Sequence, residues 1–271
     1  MSPTPERPPR TITPEEIATY RRDGVLMARD LLPMAWLARI ERAVVKVMEA
    51  PTPMAAVFSK PEDGFHMEAG MYVSDDDIRD VVRESPLASI AQEMMGSASI
   101  HFFYDQMFCK QPGSQFPTPW HHDITFWPVA GHEICSIWVP LDSVTRESSG
   151  LEFVRGSHRW DQRFKAITPM YNEQLINPDH EDVPDIDGHR DDYDLVGWSM
   201  EPGDILLFHP KTLHGSSANY DLDRKRRAIS FRWLGDDVTF EPTPYTMPFN
   251  GMGLSPGDRV AEPAFAHIIG A

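Results

Sequence analysis

Cysteine is scarce: Cys109 and Cys135 are the two in 271 residues, they have no Cys-x-x-Cys spacing, and both sit in strand-like runs. They read as reduced, buried small hydrophobes of a cytosolic protein rather than as a disulfide. Long apolar runs are missing too. No stretch approaches the roughly 18 residues a membrane helix needs, and Met1 to Arg10 has no hydrophobic segment after its charges, so neither a transmembrane helix nor a signal peptide is expected. The expected location is the cytoplasm. Positive charge is also short, with Lys+Arg 25 against Asp+Glu 41 and a formal net charge of -16. Such a surface repels polyphosphate backbones and anionic headgroups, so nucleic acid and membranes are not expected partners. Internal repeats are absent, and no break in composition marks a second domain.

What remains is a chain that is 41% hydrophobic, long enough for a substantial core. Residues 1–12 are proline-rich and read as a flexible arm, and residues 13–271 as a single domain with an N-terminal helical layer. Thr13-Pro14-Glu15-Glu16 supplies a capping hydroxyl, a first-turn proline and acidic residues, predicting a short helix to about Arg22, stopped by Gly24. Val25 to Ala28 reads as a strand. Leu37, Ile40, Ala43, Val44 and Val47 recur at helical spacing over about Pro33 to Met48. Residues 51–75 show no clean period and read as a long loop, and Asp77 to Met95 as one helix. From Ile100 the pattern turns to strands: Ile100–Lys110, Ile134–Leu141, Gly150–Val154, Asp194–Met200, Asp204–Phe208 and Arg227–Trp233, rich in aromatic and β-branched residues. The last three read as antiparallel neighbours, with Pro202-Gly203 turning between the first two. Asn177 to Asp194 reads as a solvated acidic loop. Two packed sheets with flanking α-helices, mainly β, suit this order.

Chemistry concentrates in Trp120-His121-His122-Asp123. Side chains two residues apart on an extended segment point the same way, so His121 and Asp123 can share one metal while His122 faces elsewhere. A second imidazole, from His209 or His214 in His209-Pro-Lys-Thr-Leu-His214-Gly-Ser-Ser, would complete two histidines and a carboxylate on one face of an octahedral ion. Non-haem Fe(II) oxygenases use that arrangement. Gly215 after His214 permits close backbone approach there.

Several motifs together give a specific likeness: Trp120-His121-His122-Asp123, Ser136-Ile-Trp138-Val-Pro-Leu-Asp142, Gly150-Leu151 with Gly156-Ser157-His158, Pro202-Gly203-Asp204, and His214-Gly-Ser216-Ser-Ala-Asn219 with Arg226-Arg227-Ala228. Over roughly residues 14 to 240 the chain resembles the phytanoyl-CoA dioxygenase family of Fe(II)- and 2-oxoglutarate-dependent oxygenases. The resemblance implies a double-stranded β-helix, a cupin-like jelly-roll, with His121, Asp123 and His214 as iron ligands. It further implies an arginine for the far carboxylate of 2-oxoglutarate. Of the run Arg224 to Arg227, Arg226 aligns best, and its planar guanidinium suits a carboxylate. Ser216 and Trp138 match positions near the oxo acid, and Lys110 is placed at its border. The activity implied is oxidation, foremost hydroxylation, of a small-molecule metabolite, consuming O2 and releasing succinate and CO2. Asp123 stands where related halogenases carry a small residue.

Two other functions fit a two-histidine, one-aspartate site: a non-catalytic metal-binding or sensory β-barrel, and a metal-dependent hydrolase. Neither has a use for an oxo-acid arginine and serine. Phe126, Trp127, Arg155, His158 and Arg232 are the candidate substrate-facing residues, and Arg155 and Arg232 suggest an anionic substrate. The Pro-, Gly- and aromatic-rich stretch from Pro242 is too apolar for a free tail and should pack over the barrel or another subunit. A monomer or a homodimer is expected.

Overall fold

A computed structural model describes residues 10–166 and 176–270. In chain order the elements are α1 (Pro14–Asp23), β1 (Val25–Ala28), α2 (Met34–Glu49), α3 (Pro53–Phe58), β2 (Phe65–Ala69), α4 (Met71–Ser74), α5 (Asp76–Glu84), α6 (Leu87–Met95), β3 (Ile100–Lys110), β4 (Thr118–His121), β5 (Val129–Ala130), β6 (Ile134–Pro140), β7 (Glu152–Val154), β8 (Leu195–Gly197), β9 (Ile205–Phe208), β10 (His214–Ser216), β11 (Arg226–Leu234), β12 (Thr239–Phe240) and β13 (Ala266–Ile269). The expected arm lies outside the described residues up to residue 9, but its end is docked: Arg10 pairs with Glu16, and Ile12 is buried. Helix α1 opens on a reciprocal cap, in which Glu16 N–H donates to the Thr13 hydroxyl and Thr13 N–H to the Glu16 carboxylate. Gly24, at φ 75°, closes it in the left-handed conformation that glycine adopts without a Cβ penalty.

Two antiparallel sheets form the jelly-roll. The larger runs β1-β9-β6-β11-β3-β13 with β2 also paired to β3, and the smaller runs β4-β10-β7-β8. Alternation along the large sheet sorts its side chains. Met107, Cys109, Ile137, Val139, Ile205, Leu207, Ile229, Phe231 and Trp233 face out and bury against the apolar faces of α1, α2, α5 and α6. Trp138, Leu206, Phe208 and Ala228 face inward, toward Phe153 of the small sheet.

Four expectations are corrected. Residues 51–75 contain α3, β2 and α4 rather than a loop, and β2 completes an edge beside β3. The helix expected from Asp77 to Met95 is two, α5 and α6, separated at Ser85-Pro86, where proline cannot continue the hydrogen-bond ladder. The last strands are not mutual neighbours: β8 pairs with β7 in the small sheet, β9 lies between β1 and β6, and β11 lies between β6 and β3. The acidic stretch 177–194 is not wholly solvated, since Ile186 is buried with Trp120 and Phe164, and Val183 and Tyr193 pack on them. The C-terminal stretch does fold back, with Met247, Phe249 and Leu254 against Phe103, Phe126 and Trp127. Cys109 and Cys135 are free and buried. Among the described residues, no helix is long and apolar enough to cross a membrane.

Candidate active site

Strand pairing assembles the centre. In the β4–β10 ladder His214 stands directly opposite His121, and their ring centroids lie 4.2 Å apart. Chain extension stops at His122, and Asp123 begins a short 3-10 turn that swings its carboxylate between the two rings. Asp123 Oδ1 lies 3.5 Å from His121 Nε2 and 3.9 Å from His214 Nε2. One ligand atom from each of the three residues falls within 4.8 Å of the others. Both imidazoles are oriented from behind: His121 Nδ1 is 2.8 Å from the Pro119 carbonyl and His214 Nδ1 is 3.0 Å from that of Thr212. A carbonyl can only accept, so each Nδ1 carries the proton and each Nε2 presents a lone pair.

The electrostatics fit a cation here. Burial, followed by the neighbouring His121, pushes His214 down to about 4, so it stays neutral and able to ligate. For Asp123 burial is the largest single influence and opposes ionisation. His121, His214 and Arg232 outweigh it and hold the carboxyl well below its usual range. Its Oδ2 is buried and has no hydrogen-bond partner among the described residues. Two imidazole lone pairs and an under-satisfied carboxylate on one side of a cavity are a donor set for Fe(II) with positions left open. His122 points away, its Nε2 meeting Thr125 and the Phe164 N–H.

The triad shares one cavity with Trp138, Arg226, Ser230, Arg232, Tyr104, Gln106, Phe126 and Trp127. Alternation on β11 puts Arg226, Ser230 and Arg232 on this inner face, whereas Arg227 faces out to Asp142 and Glu41. Arg226 is buried and, among the described residues, its guanidinium donates only to Ser149 Oγ, at 3.3 Å, leaves Nε without a partner and lies over the Trp138 ring. Burial lowers its pKa to about 10. Lys110, the cross-strand partner of Arg226, does not line the cavity. Its Nζ donates to Ser149 Oγ, Ser216 Oγ and the Ser217 carbonyl, a full set of acceptors for an ammonium. Burial, then Arg226, depresses the Lys110 pKa well below its ordinary value. Ser216 lies behind the cavity wall in the same cluster.

Arg155 and His158 are elsewhere. Arg155 faces Asp23 and Asp194, and His158 meets the Arg21 carbonyl and lies tilted against the His209 ring, and neither lines the cavity of the triad. Sequence reasoning missed Tyr104, Gln106, Phe65 and Ser149. The first two were recoverable, because Tyr104, Gln106, Phe108 and Lys110 alternate along one face of β3. Ser149 carries a subtler mark, a left-handed φ of 66° at a buried non-glycine residue.

The family model described as phytanoyl-CoA dioxygenase (PhyH) matches residues 20–228. Among curated proteins, the chain is 24% identical over 245 residues to a probable phytanoyl-CoA dioxygenase of Caenorhabditis elegans, covering 84% of this chain and 77% of that one. It is 28% identical over 173 residues to a 1-deoxypentalenic acid 11-beta-hydroxylase of Streptomyces arenae, covering 64% and 56%. Among solved structures, the non-heme alpha ketoglutarate dependent carbocyclase SnoK from nogalamycin biosynthesis superposes with a TM-score of 0.74 at 20% identity, over 97% of this chain and 99% of that one. EctD from S. alaskensis with 2-oxoglutarate and 5-hydroxyectoine gives a TM-score of 0.68 at 18% identity, over 95% and 90%. At these identities the structural likenesses speak to the fold.

Proposed function

The chain belongs to the phytanoyl-CoA dioxygenase family and is an iron- and 2-oxoglutarate-dependent dioxygenase of a small molecule, and from that premise we propose that His121, Asp123 and His214 hold the iron of a hydroxylase. The observation that carries the assignment is the convergence of those three ligand atoms, two of them lone pairs oriented by backbone carbonyls, on a carboxylate oxygen with no other partner. When bound, iron and the oxo acid supply the oxidation: O2 gives one oxygen atom to a substrate C–H as hydroxyl and the other to succinate, as CO2 leaves. The chain's own part is placement and exclusion of water. Arg226 receives the far carboxylate of 2-oxoglutarate, a role supported by its burial, by the lack of a carboxylate partner among the described residues and by its place in the wall of the cavity that holds the triad. Trp138 forms the wall beneath it. Ser149 and Ser216 orient that end of the site, with Lys110 holding both hydroxyls. Phe126 and Trp127 close the side next to His121 and keep bulk water from the reacting carbon.

Hydroxylation is favoured over halogenation because Asp123 fills the coordination position that a halide would take. The substrate is proposed to be anionic, since the cationic Arg232 lines the cavity and forms no ion pair with a carboxylate among the described residues. Reduced, buried Cys109 and Cys135 suit a cytoplasmic setting. The test is a screen of small metabolites for stimulated succinate release in the presence of Fe(II), 2-oxoglutarate and O2. A responding substrate should release one succinate per product, and His121→Ala and His214→Ala should abolish the response. Undiminished turnover in either variant would remove that residue from the ligand set.

A further inference from the structure

Arg232 is a buried cation without a carboxylate partner among the described residues. It is 3% exposed, donates from Nη2 to Gln106 Oε1 at 2.7 Å, and leaves Nε and Nη1 without acceptors. A guanidinium so desolvated is costly unless something answers its charge. Two aromatic faces hold it, Tyr104 at 4.3 Å and Trp127 at 5.7 Å from the guanidinium carbon, and Trp127 Nε1 donates to Tyr104 Oη. These cation-aromatic contacts fix the head group in one plane and lower the cost of burial, but give its N–H groups nothing to bond. The carboxylate of Asp105 is on the outer face of β3, committed to the Met71 and Tyr72 N–H groups.

Position sharpens the point. Arg226 and Arg232 lie on the same face of β11, six residues and so about 20 Å apart along the strand. One short dicarboxylate cannot serve both ends. Charge points the same way: among the groups that line the cavity or bind in it, Fe(II), Asp123, Arg226 and dianionic 2-oxoglutarate already sum to zero. The positive charge of Arg232 is left over. Between the two arginines the cavity wall is largely aromatic, with Phe108 and Phe126 lining it and the stacked Phe65 and Phe116 at the Arg226 end.

We propose that Arg232, steadied by Gln106, Tyr104 and Trp127, is the anchor for the substrate's single carboxylate, and that the substrate is a monocarboxylic acid with an apolar body. This rests on reading the cavity as the oxidation site. Arg232 lines the same cavity as His121, Asp123 and His214, and the Trp127 ring it lies against ends the short turn that begins at Asp123, so a carboxylate bound to it brings carbons only a few bonds away toward the metal centre. The oxidised C–H is therefore close to the carboxylate, and a distant tail carbon is not the target.

Matched acid and amide pairs test this: cyclohexanecarboxylate with its carboxamide, and phenylacetate with phenylacetamide. Each is titrated calorimetrically into the anaerobic chain, both loaded with Fe(II) and saturating 2-oxoglutarate and unloaded. The acids should bind more tightly than the amides by about thirtyfold or more, as expected when one side of a buried charge-assisted pair is neutralised. Arg232→Gln should erase the preference, while Arg232→Lys, which keeps the charge on the aromatic platform, should retain part of it. Equal binding of acids and amides, or an unchanged preference in Arg232→Gln and Arg232→Lys alike, overturns the proposal. The visible band of the loaded complex is read separately, so its absence counts against the iron assignment while the unloaded titrations still decide the role of Arg232.

Discussion

Arg226 and Lys110 face each other across the β11–β3 ladder as two buried cations, an arrangement that costs stability unless hydrogen bonds or an incoming anion relieve it. Ser149 supplies part of that relief by accepting from both. Ser149→Ala should therefore lower stability by about 1–3 kcal/mol, the usual cost of leaving a buried donor unsatisfied. In a Lys110→Met background the same change should cost less, which urea denaturation of the four proteins would measure. Equal costs in both backgrounds would mean the hydroxyl does not support the ammonium. Arg226→Lys preserves charge but not the planar fork, so the apparent KM for 2-oxoglutarate should rise about tenfold or more. An unchanged KM would move the oxo-acid carboxylate to another residue.

Strand β11 serves two surfaces by alternation, and they can be separated. Phe231 faces the helices and is fully buried, so Phe231→Ala should destabilise the protein by about 3–5 kcal/mol while leaving 2-oxoglutarate affinity alone. Ser230→Phe points into the cavity and should do the reverse, weakening binding of the oxo acid or substrate with a smaller change in melting temperature. If Phe231→Ala alters affinity as much as stability, the two faces are not independent. That alternation, with its β-branched and aromatic residues, is why β3, β6, β9 and β11 were legible in the sequence. Strand β2 was not, because Phe65-His66-Met67-Glu68-Ala69 sits among prolines and glycines and is a strand only through pairing with β3. Partner choice was equally hidden: Pro202-Gly203 does turn the chain, yet whether β8 joins the small or the large sheet is decided by the far side of the barrel. His121 and Asp123 stood out as a pair by their spacing, although Asp123 reaches the site from a short turn rather than from an extended strand, whereas the choice of His214 over His209 came from the family resemblance. Arg155 and His158 misled because a charged residue beside a turn looks the same in sequence whether it faces a cavity or an aspartate on the surface.

At the scale of the whole molecule, the buried histidines make stability depend on pH. His209 accepts at Nδ1 from the Lys211 N–H and contacts the His132 carbonyl through Nε2, so an added proton would face a donor. Burial, then His158, lowers its pKa to about 3. The unfolded chain, with an ordinary histidine value, binds more protons between about pH 6.5 and 3. Stability from this group is thus fully present above pH 6.5 and is lost as pH falls toward 3, and His209→Gln should flatten the slope of melting temperature across that range. A parallel slope in the variant would assign the acid sensitivity to other groups. The central claim is that pairing of β4 with β10 in the small sheet brings His121, Asp123 and His214 together to bind iron, beside an oxo acid held by Arg226 of the large sheet. Its most direct test is the anaerobic visible spectrum of the protein with Fe(II) and 2-oxoglutarate. The account predicts a weak charge-transfer band in the wild type that is lost in His121→Ala and shifted to much higher 2-oxoglutarate concentration in Arg226→Ala, whereas a band unchanged in both variants would contradict it.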